Sequence, residues 1–125
     1  MIGAATRRLV RDRAGRRCEY CRTRQADEPF ISYQIEHVIA EQHGGGDEES
    51  NLALACSHCN LHKGPNLAGI EPLFHPRRQA WEDHFEYQAF FVAGKTACGR
   101  ATVQVLAMNA QARIDLRQEC QTDPS

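Results

Sequence analysis

No run in the 125-residue chain approaches the length of about eighteen apolar residues that spans a bilayer, which argues against a membrane-crossing helix. The N-terminus, MIGAATRRLVRDRAGRR, lacks an apolar centre followed by a cleavage site, so it does not read as a secretory signal. A cytoplasmic protein with no membrane partner is the expectation. Internal repeats and low-complexity segments are absent too, and the 42% hydrophobic and 25% charged composition is ordinary for a folded chain. One domain spanning 1–125 is expected. Another absence is local: no Lys or Arg occurs from Gln25 to Asn60, where seven acids lie. Just before it, Arg7 to Arg24 holds eight Arg against Asp12 and Glu19. A basic arm followed by an acidic block suits a protein that holds phosphates with one surface and a cation with another. A solvated amphipathic helix beside an acidic loop would leave the same pattern.

Six cysteines are present, and four fall in two tight pairs, Cys18-Glu-Tyr-Cys21 and Cys56-Ser-His-Cys59, with 34 residues between them. Without a secretory signal, disulfides are disfavoured. Two residues within each pair let the backbone turn both sulfurs toward one ion, and four thiolates suit a closed tetrahedral zinc. Cys18, Cys21, Cys56 and Cys59 are therefore expected to form a structural zinc site, with a redox role for the pairs as the competing reading. Cys98 and Cys120 are expected to be a buried small residue and a tail thiol.

The pattern predicts a helix over 5–17 with Leu9 and Val10 as its apolar face, then a knuckle. Residues 30–39 favour a strand, Gly44-Gly45-Gly46-Asp47 a loop, and Ser50 or Asn51 a cap for the turn leading through 52–55. A short helix is expected to start at the second cysteine pair and stop at Gly64-Pro65. Further on, 64–76 reads as an extended link, 79–85 as a helical turn and 85–93 as a strand with Phe90, Phe91 and Val92 in the core. A turn at Gly94-Lys95-Thr96, a helix over 102–117 and a polar tail from Gln121 to Ser125 complete the expectation.

Residues with possible chemistry lie between and just after the cysteine pairs. Phosphodiester hydrolysis needs a base to activate water and a cation to take up charge on the leaving oxygen. Glu36-His37 ends the predicted strand, Asn51 follows the triple-Gly loop, and Asn60 follows the last cysteine. A carboxylate and an amide oxygen suit Mg²⁺ or Mn²⁺, and a histidine can take a proton from water near neutral pH. Adjacent strand residues point to opposite faces, so Glu36 and His37 reach one centre only where the strand bends or ends. Alone, the pair reads more readily as a surface pair.

The run IEHVIAEQHGGGDEESNLALACSHCNLHKG resembles the core of the HNH endonuclease family: an acidic residue and His, a Gly-rich loop, Asn-Leu, then CxxCNxxKG. The resemblance covers Cys18 to Gly64, and LFHPRRQAWEDHF and GRATVQVLAMN look like segments of stand-alone bacterial members with two CxxC zinc knuckles. It implies an α+β chain with a ββα-metal (His-Me finger) core of about 18–64, braced by the zinc. An Arg-rich helix over 5–17 would precede the core, and a strand-helix extension over 65–120 would follow it. It implies His37 as general base, Glu36 and Asn60 as ligands of the catalytic cation, and Asn51 as the residue that orients the base and pins the loop. Two departures stand out: Glu where the family often has Asp, and Asn where it often has a final His.

The expected activity is metal-dependent DNA hydrolysis, with a non-catalytic zinc-stapled DNA-binding module as the alternative. Double-stranded DNA is the expected partner, approached through its minor groove as in the family. Arg7, Arg8 and Arg11 on the arm (with Arg13, Arg16 and Arg17 beside them) and Lys63, Arg77 and Arg78 near the site are the candidate phosphate contacts. Among the other histidines, His43 is expected to touch substrate and His58 to be exposed. His62 should point away from Asn60, and His75 and His84 should be structural.

Overall fold

The computed structural model describes residues 2–69 and 71–120. The expected tail, 121–125, lies outside the described residues. Helix α1 (Ala4–Arg13) is shorter than the 5–17 expected, because Gly15 and Arg16 take left-handed backbone with φ of 64° and 55°. Arg11 and Arg13 in its last turn complement the helix dipole. Val10 and Ala14, four residues apart, lie on one face and are buried, whereas Leu9 is 40% exposed. Leu9 therefore does not pack as expected.

A hairpin of two four-residue strands follows. Strand β1 (Gln34–His37) pairs antiparallel with β2 (Leu52–Ala55), matching Glu36 to Ala53 and His37 to Leu52. Only the middle of the predicted 30–39 strand forms, residues 34–37, and Phe30 stands in the preceding loop almost wholly exposed. Leu52 to Ala55 are buried on both faces, which explains an apolar run without alternation where only a turn was expected. Helix α2 (Ser57–Lys63) starts at the Cys56 cap, whose Sγ accepts from the Cys59 N–H at 3.3 Å, and ends at Gly64 with φ 52°. Two strands and a helix thus follow one another as the ββα core requires.

Beyond the core, helix α3 (Trp81–His84) leads into a second hairpin, β3 (Phe85–Gln88) with β4 (Phe91–Gly94). One strand over 85–93 was expected. The chain instead reverses at Ala89-Phe90, with Ala89 at φ 54°, and no Gly or Asn marks the turn. Phe91 is 49% exposed and Phe90 half-buried, so of the three expected core residues only Val92 is buried. The expected single helix over 102–117 is two, α4 (Ala97–Val105) and α5 (Gln111–Glu119), broken where Ala107 turns left-handed at φ 48°. The break lets the Asn109 side chain pair with both backbone groups of Val92, at 2.8 and 2.9 Å, extending the hairpin edge. Gly99 in α4 packs directly on the His84 carbonyl, where a Cβ would overlap.

This C-terminal half braces the core. Trp81 Nε1 donates to the Tyr20 carbonyl at 2.7 Å and Tyr87 Oη to the Cys21 carbonyl at 2.5 Å, so both aromatic residues clamp the first knuckle. Glu19 ties the same knuckle to β2 through the Leu54 N–H at 2.9 Å.

Candidate active site and zinc centre

The four paired cysteines are fully buried, unbridged, and bring their sulfurs within 4.8 Å of one another. Zn–S bonds of about 2.3 Å in a tetrahedron put sulfurs about 3.8 Å apart, and Cys21 Sγ and Cys56 Sγ stand 3.8 Å apart. The donor set and its spacing fit zinc. Arg113 sets its Nη2 3.7 Å from Cys56 Sγ while holding Glu28 by a two-pronged ion pair at 2.9 and 3.0 Å. A buried cation beside a cluster of thiolates offsets their charge. Neither Arg113 nor Glu28 was expected here, since they are 85 positions apart in sequence. Cys98 is half-buried beside Gln79, and Cys120 lies at the end of α5.

The strand β1 sends Glu36 and His37 to opposite faces, as its pleat dictates. Glu36 faces inward, 7% exposed, accepting from Tyr20 Oη and from Lys63 Nζ at 3.2 Å. Lys63 also donates to the Val38 carbonyl at 2.9 Å and is 2% exposed. Burial pushes the Glu36 carboxyl up, against the pull of Lys63 and Tyr20 that favours its ionised form. Burial also pushes the Tyr20 phenol well up, so it stays protonated and donates. Asn60, half-buried, is on α2 one turn before Lys63.

His37 faces outward. Its Nε2 meets Asp47 Oδ1 at 2.7 Å, with Glu41 Oε1 at 3.9 Å. The hydrogen bond to His37 holds the Asp47 carboxyl below the usual aspartate range, keeping it ionised. Their donor atoms lie within 4.8 Å of one another. In the sequence Asp47 reads only as part of the loop signal; its one hint is its place at the end of the triple-Gly run.

Asn51 does not touch His37 in the described contacts. Its Oδ1 accepts from the Ile39 N–H at 2.9 Å, and its Nδ2 donates to the carbonyls of Ile39 at 3.0 Å and Gly46 at 2.9 Å. Buried at 5% exposure, it pins both ends of the loop that presents Asp47. Gly45 must be glycine, because a Cβ would overlap the Ile39 carbonyl and press within 2.8 Å of Asn51 Nδ2.

The proposed phosphate contacts divide. Arg7 and Arg8 are exposed along α1 and Arg11 is half-exposed. Arg13 instead donates to the carbonyls of Glu49 at 2.8 Å and Leu52 at 2.5 Å, tying α1 to the hairpin. Lys63 is spent on Glu36 and Val38, and Arg77 on an ion pair with Glu19, so neither stands available to a phosphate as expected. Arg78 is exposed on a groove of about 420 Å³ that Lys63, Val38, Leu67 and His75 also line.

His58, expected to be exposed, is half-buried: it stacks on His62 at 4.1 Å, bonds the Ala107 carbonyl at 2.8 Å, and burial lowers its pKa. His62 is exposed and bonds back to the His58 carbonyl at 2.8 Å. His75 and His84 are bonded structural residues, at Arg77 N and Thr96 Oγ1, and His43 is exposed on the short turn after β1.

With this geometry in place, residues 18–66 match the family model for HNH endonuclease. The chain carries an HNH endonuclease domain. It is also similar to the Septu protein PtuB of Bacillus thuringiensis, with 28% identity over 105 aligned positions, covering 78% of this chain. The chain spans 38% of the length of that relative. No solved structure matches. The HNH segment holds all four zinc-site cysteines together with Glu36, His37, Asn51 and Asn60. Its sequence and the ββα order of β1, β2 and α2 agree on fold class: a mixed α+β chain with small antiparallel hairpins. The match of residues 18–66 to this family model implies nuclease chemistry in broad terms.

Proposed function

We propose that the protein is a metal-dependent endonuclease that cuts double-stranded DNA, with His37 as the base that activates water. The observation that carries this reading is the His37–Asp47 pair at 2.7 Å on the open face of β1. An imidazole whose Nε2 is held by an ionised carboxylate is fixed in one tautomer, and its Nδ1 is left to take a proton. Asn51 acts on the base indirectly, by holding the loop that carries Asp47.

Glu36 and Asn60 are the proposed ligands of a catalytic Mg²⁺ or Mn²⁺. Both are hard oxygen donors of the kind such an ion takes, but Glu36 faces inward with Tyr20 and Lys63 on its two oxygens, opposite His37, so ion and base share one centre only if the end of β1 opens. When bound, the cation supplies charge stabilisation at the leaving oxygen. Arg7, Arg8 and Arg11 along α1, with Arg78 at the groove, hold the phosphate backbone, so binding weakens as salt rises.

One observation favours the second reading, a zinc-stapled DNA-binding module without cleavage. Lys63 places a positive charge 3.2 Å from the carboxylate meant for the cation. A plasmid assay across Mg²⁺, Mn²⁺, Ca²⁺ and Zn²⁺ separates the two. Nicking with Mg²⁺ or Mn²⁺ is expected; salt-sensitive binding with no cleavage under any ion would establish the second reading.

A further inference from the structure

We propose that Lys63 is a positioning residue that latches the end of β1: its ammonium keeps the cation off Glu36 until a DNA phosphate in the neighbouring groove draws it away. The inference rests on the reading of Glu36 and Asn60 as ligands of that cation, and deepens it by giving the order in which DNA and metal arrive.

The latch straddles His37. Lys63 Nζ donates to Glu36 Oε2 at 3.2 Å and to the Val38 carbonyl at 2.9 Å, one residue to each side of His37 in the chain. Together the two bonds fix the end of β1 in the arrangement where Glu36 and His37 face apart. Lys63 and Glu36 are 2% and 7% exposed, so salt and water screen their attraction little. Tyr20 Oη holds the other oxygen of the carboxylate. A hydrophobic side chain would fill the same place without the cost of burying a charge. What the ammonium adds is a cation already seated on Glu36.

Asn60 lies three residues before Lys63 on α2, and side chains at that spacing are neighbours on one helix face, roughly 5–6 Å apart at Cβ. An ion held between Glu36 and Asn60 would therefore lie against the Lys63 ammonium. A hard divalent ion takes a carboxylate oxygen at about 2.1 Å, closer than the ammonium stands. At such range, in a buried site, the two positive charges repel strongly. Cation and lysine are alternatives on one carboxylate.

The groove of about 420 Å³ supplies the release. Lys63 lines it together with Val38, Leu67, His75 and Arg78, so its four-carbon stem can turn the ammonium from Glu36 into open space. Among the described residues that line this groove, none is a carboxylate. An ammonium turned into it would join the Arg78 guanidinium with no acid in the walls to balance either, which keeps Lys63 on Glu36 in the free protein. A phosphate on Arg78 removes that barrier, because it offsets both charges and offers the ammonium a charged acceptor. Release of Lys63 then frees Glu36 for the cation. It also unpins the Val38 carbonyl, which lets the end of β1 open toward a centre shared with His37. DNA and cation thus favour each other's binding, and that coupling is reciprocal.

Mn²⁺ affinity tests the latch without relying on cleavage. It is read from the paramagnetic resonance of the free ion, on the zinc-loaded full chain carrying His37→Ala so that a duplex stays intact. Without DNA, adding Lys63→Met to this parent should tighten Mn²⁺ binding by at least roughly tenfold, and adding Glu36→Gln/Lys63→Met should lose that gain. A lysine that only held the fold would leave Mn²⁺ affinity unchanged or weaker on its removal. If the Lys63→Met protein does not fold, the parent decides alone. A short duplex should tighten its Mn²⁺ binding by roughly tenfold beyond what the duplex takes up by itself, and Glu36→Gln should show no such gain. Equal Mn²⁺ affinity with and without Lys63, weakened in both by Asn60→Ala, would overturn the latch and leave the cation site standing. A gain in Lys63→Met with no duplex effect in the parent would overturn release by DNA. No Mn²⁺ uptake by any of these proteins, with or without duplex, would overturn both the latch and the cation site on which it rests.

Discussion

At the residue scale, the two halves of Glu36-His37 do different work. Lys63 is buried and bonded to Glu36 and to the Val38 carbonyl. Lys63→Met should cost about 3–5 kcal/mol, because it leaves a buried carboxylate with the Tyr20 hydroxyl but no counter-charge. The double variant Glu36→Gln/Lys63→Met should recover part of that loss, a coupling that denaturant unfolding of the four proteins would measure. Stability of Lys63→Met equal to wild type would remove the ion pair from the account. On the other face, Asp47→Asn should lower kcat by about 10- to 100-fold, the usual cost of losing a partner that orients a reactive side chain. Its KM for DNA and its thermal stability should change little, since Asp47 is exposed.

The proposed catalytic residues come from motif order, and the structure adds only where they lie. Their partners were not legible in the sequence. Asp47, ten positions beyond His37, and Tyr20, sixteen before Glu36, are brought in by folding, and no spacing rule announces them. The exposed arginines proposed as phosphate contacts stand out in the sequence by composition only. Burial alone separates Arg78 from Arg77 and turns Lys63 into a structural cation.

At the element scale, the pins between segments matter more than the segments. The loop after β1 is held by Asn51, so Asn51→Ala should loosen it, reducing cleavage while leaving zinc content unchanged; amide exchange in 39–47 would report the loosening. Helix α2 was readable because a cysteine cap and a glycine punctuate it, whereas β2 was not, since Leu52 to Ala55 carry no alternation and only the family resemblance implied a second strand. The second hairpin and the broken C-terminal helix were not readable either, since Ala89 and Ala107 enter left-handed backbone with no glycine to signal it. Tertiary pairing of Asn109 with Val92, rather than local propensity, fixes the helix break.

The Glu28–Arg113 pair links α5 to the knuckle region and carries a pH dependence. Burial works to raise the Glu28 carboxyl, but the bonds from Arg113 and Tyr33 prevail and hold it below the ordinary glutamate value. A group lowered in the folded state adds stability above its unfolded pKa, and loses it as pH falls through the folded value. Unfolding midpoints should therefore drop in acid, below the ordinary glutamate pKa, and Glu28→Gln should flatten that limb. An unchanged acid limb in Glu28→Gln would show that the pair does not contribute it.

At the scale of the whole molecule, a domain with so small a core would lean on a metal held by its four buried cysteines. The cysteine cluster lies where α1, the first hairpin, α2 and the C-terminal clamp converge, so zinc should act as the fold's staple. Removing zinc by chelation, or Cys56→Ser, should lower the melting temperature sharply and abolish cleavage together with it. Full helicity retained without zinc would contradict that role.

The central claim is that the outward-facing His37 is a catalytic base. The most direct measurement compares Mg²⁺- or Mn²⁺-dependent nicking of supercoiled plasmid by wild type and His37→Ala, with zinc content and helicity matched. A fall of about 10²–10⁴-fold is expected in His37→Ala with DNA binding retained. Equal nicking by the two proteins would contradict it.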